Sequence, residues 1–98
     1  MLKPNEVRNV ANQIVKLITK VNPKIEWIKY EINLKDYERI VSCNMGKITD
    51  YTLLSLIDSL IPLLDLLEPD GKKIEGGSSR KYDVYEFSQV KVLVERFV

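Results

Sequence analysis

The chain has 98 residues, of which 45% are apolar and 30% charged, and its formal net charge is +1. These values fit one globular domain over 1–98, ordinary globular material rather than a disordered chain, and they exclude a strong whole-protein field for nucleic acid or acidic membrane. Histidine is absent and Cys43 is the sole cysteine, which excludes a Ser-His or Cys-His nucleophile pair, an internal disulfide and a Cys/His zinc site, so no catalytic residue, metal or cofactor is expected.

Residues 5–22 carry Val7, Val10, Ala11, Ile14, Val15, Ile18 and Val21 at spacings of three and four, which predicts a helix with one apolar face. Pro4 can open it, and Asn22-Pro23 closes it, because the residue before proline is driven out of the α region. Arg8, Lys16 and Lys20 lie on the opposite face, and residues 1–24 contain Glu6 as their single acid. The opening Met1-Leu2-Lys3-Pro4-Asn5 lacks the apolar core of a secretory signal, and a cytoplasmic location is the expectation.

Residues 25–34 alternate: Ile28, Tyr30, Ile32 and Leu34 on one face, Lys29, Glu31 and Asn33 on the other, as in a strand. Trp27 shares the phase of the polar face, where an apolar ring suggests a second contact such as a subunit interface. Residues 35–45 read as a second strand after a turn at Lys35-Asp36, with a helix capped by Asn33 as the competing reading. Cys43, in an apolar alternating segment, reads as a small buried hydrophobe.

Residues 49–67 predict a second helix, with ten leucines and isoleucines from Leu53 to Leu67 and no basic residue. Thr49 or Asp50 can cap it. Its apolar residues sweep about half of the helix surface, which makes it core. Asp58 and Asp65, two turns apart, read as a solvated stripe rather than a metal or acid–base pair. Pro62 lies on the polar side, where it can kink or stop the helix. The helix is also too polar to span a bilayer, so no membrane association is expected.

Glu68-Pro69-Asp70-Gly71 is a turn and Gly76-Gly77-Ser78-Ser79 a flexible connection. The latter lacks the Gly-Lys-Ser/Thr ending of a phosphate-binding loop. Lys72, Lys73, Arg80 and Lys81 flank it and would cluster at the tip of a hairpin, as in a wing that contacts phosphates. From Tyr82 to Val98 the alternation changes phase near Ser88, which a bulge or turn explains, with a terminal helix as the alternative.

The expected architecture is α+β: two helices packed on one face of a mostly antiparallel sheet, in the order αββαββ. An alternative order, helix 33–45, turn at Gly46, helix 49–61 and a hairpin around 68–87, is similar to a winged helix-turn-helix. Its reading helix would carry Asp50, Asp58 and Asp65 without a cation, against the phosphates of the groove. The expected function is non-catalytic binding as a homodimer, with nucleic acid held by Lys16, Lys20, Lys72, Lys73, Arg80 and Lys81. The alternative is a protein–protein adaptor or regulatory subunit working through Trp27 and the second sheet face.

Overall fold

A computed structural model describes residues 3–33, 35–36, 38–74 and 81–97, with the backbone alone for 71–74, 81, 96 and 97. The elements are α1 (Pro4–Val21), β1 (Trp27–Asn33), β2 (Glu38–Cys43), β3 (Gly46–Lys47), α2 (Tyr51–Leu64), β4 (Gly71–Ile74), β5 (Lys81–Glu86) and β6 (Lys91–Phe97). The class is α+β, as expected. The order is αβββαβββ rather than αββαββ, because a two-residue strand succeeds β2 and Gly71–Ile74 pairs as a strand of its own. Segment 38–43 is strand, paired with β1, which removes the winged helix-turn-helix alternative and its first helix.

Internal contacts divide the chain into a helical unit, residues 1–24 and 49–68, and a sheet unit, residues 25–48 and 69–98. In the helical unit α1 and α2 pack on each other. Pro4 stands at the first turn of α1, where its missing N–H costs nothing. The helix ends at Asn22, whose backbone is extended (φ −143°) just before Pro23. Val7, Ala11, Val15 and Ile18 are its buried stripe. Val10 and Val21, expected on the same core face, remain 37% and 45% exposed.

Asp50 caps α2: its Oδ1 accepts from the Leu53 N–H at 2.9 Å. Leu53, Ile57, Leu60, Ile61 and Leu64 are buried, each contributing about 1.5–3 kcal/mol by removal from water. Pro62 does not stop the helix at once, since it runs on to Leu64. It then finishes in tighter turns, with Leu66 N–H donating to the Leu63 carbonyl and Leu67 N–H to Leu64.

The sheet order is β3-β2-β1-β6-β5-β4. Its centre is a parallel pair, β1 with β6, in register from Trp27↔Lys91 to Asn33↔Phe97. The other pairings are antiparallel. The first hairpin turns on Asn33, whose Oδ1 accepts from the Lys35 and Asp36 N–H groups at 3.0 and 3.3 Å. This side-chain turn takes the place that glycine would fill in a tighter hairpin. Gly46, at φ 117°, sits where an L side chain is strained, and it starts the short edge strand β3. The phase change near Ser88 is a turn, closed by Phe87 N–H to the Val90 carbonyl at 2.9 Å, and Lys91–Phe97 beyond it is strand rather than helix.

Side chains in paired positions share a face. One face carries Cys43, Ile28, Val92 and Tyr85 in a row, then Val41, Tyr30 and Val94, all buried. Cys43 is thus the small buried hydrophobe expected of it. Truncating the α2 cap, Asp50→Ala, is expected to lower unfolding free energy by about 1 kcal/mol, read from the midpoint of urea denaturation.

Candidate functional site

The second sheet face departs from a plain solvated surface. Glu31 on β1 stands opposite Glu95 on β6, and these two acids are only 9% and 5% exposed. Neighbouring strands lie about 4.8 Å apart, so two carboxylates start from adjacent backbone positions in the middle of the sheet. Lys29, two residues along β1, holds its Nζ 3.5 Å from Glu31 Oε1. The same ammonium lies 5.7 Å from the centroid of the Tyr82 ring, within range of a cation–π attraction. Tyr82 is itself 2% exposed. Val84 and Leu93 are paired beside Lys29, so an apolar strip adjoins this charged cluster.

At the end of the same face, Trp27 is paired with Lys91, and Lys91 with Glu86. The indole is half-buried. It lines an open cleft of about 440 Å³ with Glu26 and the segment Glu86 to Lys91. The cleft is framed by backbone: Lys91 N–H donates to the Glu26 carbonyl at 3.1 Å. Glu26 N–H donates to Asn44 Oδ1 at 2.8 Å, and Glu86 N–H to Asp70 Oδ2 at 2.7 Å. The Lys91–Glu86 ion pair, 3.6 Å long and half exposed on each side, is a surface pair of small energetic weight. The expectation that Trp27 occupies the face opposite Ile28 and Tyr30 therefore matches the register.

The basic residues are spread over both units. Lys16 and Lys20 are exposed on α1. Lys72 and Lys73 lie on β4 and Lys81 opens β5, and the two strands pair as the hairpin their sequence suggested, with Lys72 opposite Asp83, Lys73 opposite Tyr82 and Lys81 opposite Ile74. Adjacent strand positions alternate between faces, so positions 72 and 73 fall on different sides of the hairpin and only 72 shares a side with 81. Arg80, with the Gly76-Gly77-Ser78-Ser79 connection, lies outside the described residues. Asp58 is half-buried and Asp65 exposed on α2. Among the described residues, no three Cys, Asp or Glu side chains gather where they could hold a metal ion, and no helix is long and apolar enough to cross a membrane.

The Glu31–Glu95 juxtaposition escaped sequence reasoning, because it depends on a pairing between strands far apart in the chain. Glu31 was legible only as one member of the polar face with Lys29 and Asn33. No protein-family model, no curated protein and no solved structure matches this chain.

Lys29 is paired with the buried Glu31, whose cross-strand neighbour Glu95 is also buried, so Lys29→Met is expected to cost about 1–3 kcal/mol in urea denaturation. Adding Glu95→Gln should recover part of that loss, and a Lys29→Met protein as stable as the parent would show that the cluster does not depend on the ammonium.

Proposed function

We propose that this chain is a non-catalytic interaction module whose working surface is the Trp27 end of the second sheet face, and whose ligand is another protein. The observation that carries this reading is the half-buried indole beside an open cleft rimmed by Glu26, Glu86 and Lys91. An aromatic anchor inside a polar, charged rim is the composition of a protein-binding hot spot. Glu26 and Lys91, on either side of that anchor, are tied to each other by a backbone hydrogen bond. The anchor is thereby preorganised, which lowers the entropy lost on binding. The absence of histidine from the sequence fits a role in binding rather than in acid–base catalysis.

A second reading, nucleic-acid binding by a homodimer through Lys16, Lys20, Lys72, Lys73, Arg80 and Lys81, is supported by the β4–β5 pairing, which brings Lys72 and Lys81 to one side of a hairpin. The exposure of Lys16 and Lys20 on α1 also favours it. The opposing term is the second sheet face, whose Glu31, Glu86 and Glu95, with Glu26 at its end, would repel phosphates.

The two readings separate in one titration. Fluorescence anisotropy with labelled duplex and single-stranded oligonucleotides, from low to physiological salt, should show no saturable binding if the surface serves a protein. Saturable binding whose salt slope flattens by about one unit for each of Lys72→Ala and Lys73→Ala would instead establish the nucleic-acid reading. Trp27→Ala should lower the unfolding free energy in urea denaturation by less than the ~3–5 kcal/mol of a core Trp→Ala change, since the ring is partly solvated, while it removes the anchor.

A further inference from the structure

The apolar surface of α1 is wider than the stripe the helical unit buries. Val10, Leu17 and Val21 are 37%, 49% and 45% exposed, and Ile14 between them is half-buried. At 100° per residue these four side chains fall within about 60° of arc, beside the buried stripe of Val7, Ala11, Val15 and Ile18. Their spacing of four, three and four is that of the apolar seam positions of a two-helix coiled coil. One exposed leucine is ordinary on a protein surface; a continuous stripe along an 18-residue helix is a docking face.

The charges beside the stripe indicate what covers it. Glu6, Gln13 and Lys20 recur every seven residues along its solvent edge, and all three side chains are exposed. Seven-residue spacing keeps them on one line, with an acid at the start of the helix and a base at its end. A second copy of α1 laid antiparallel brings Glu6 of each copy beside Lys20 of the other, twice, with Gln13 meeting its own counterpart at the two-fold axis. The same arrangement stacks Val10 of each copy on Ile14 of the other and opposes the two helix dipoles. A parallel pair would set this edge on opposite sides of the contact in the two copies, each facing the Ala11 and Ile18 edge of the other, with no reciprocal charge pair. The edge is thus complementary to itself in one orientation only, which is the condition for a closed two-fold dimer.

We propose that α1 is a self-association helix: two copies of the chain dock antiparallel on a contact centred on Val10 and Ile14 and flanked by Leu17, fixed in orientation by reciprocal Glu6–Lys20 pairs. This contact is independent of the Trp27 surface, so the two readings fail separately.

Sedimentation equilibrium of the full chain over a wide concentration range tests it. The parent protein should approach twice its 11.4 kDa monomer mass, and Leu17→Glu should remain a monomer with an unchanged circular dichroism spectrum. The surface variants Glu6→Lys and Lys20→Glu, which leave the core untouched, should each weaken the dimer by about tenfold, because two pairs pass from attraction to repulsion. The combined Glu6→Lys, Lys20→Glu protein should dimerise like the parent. A parent that stays monomeric at every concentration overturns the proposal, as does a double variant no better than the singles. Trp27→Ala should leave the dimer constant unchanged; if it abolishes dimerisation, the Trp27 face and not α1 is the contact.

Discussion

The sheet unit depends on the parallel pairing of β1 with β6. Both strands are interior, flanked by β2 on one side and β5 on the other, so Ile28–Asn33 and Lys91–Val94 face paired strands on both sides. Seven residue pairs are held in register, and that register decides which side chains meet. It sets Ile28 on Val92 and Tyr30 on Val94 on the buried face, and Glu31 on Glu95 on the other. A shift of one residue would carry the valines to the opposite side and bring the charged residues into the apolar row.

The consequence for the second face is a surface of two chemistries. Around Lys29 it holds two buried acids, with an ammonium placed between the Glu31 carboxylate and an aromatic ring. Toward Trp27 it opens into the cleft. The first region is costly to perturb at its acids, because Glu31 and Glu95 have little water to fall back on. The second is accessible and supported by backbone hydrogen bonds from Lys91 and Glu26.

Much of this was legible from local pattern. The three-and-four spacing located α1, alternation located β1, and the Asp50 cap and leucine-rich sweep located α2 within a few residues of its ends. Alternation alone put Trp27 on the face opposite Ile28 and Tyr30. The β4–β5 pairing was readable from basic flanks around a glycine-serine segment. What was not legible was non-local. Nothing in residues 27–33 announces a parallel partner beginning at Lys91, and β3, at two residues, is too short to show a period. The helical pattern of α1 marks which residues are apolar without marking how many of them the rest of the unit can cover. Val10 and Val21 therefore counted as core in the sequence, and Leu17 stood outside the pattern, although all three are exposed together.

The same central pairing has a meaning in time. The strand that completes the middle of the sheet, β6, is made last of the eight elements among the described residues, and until it arrives the inner edges of β1 and β5 both present unpaired backbone. During synthesis the β1–β2 hairpin can close on its own local contacts, but it must wait through α2, β4 and β5 with an apolar strand edge open to any other chain. Pairing of this high sequence separation is slow. The nascent protein is consequently most vulnerable to strand-to-strand aggregation just before Lys91 emerges, and a chaperone that shields extended apolar segments would act in that interval.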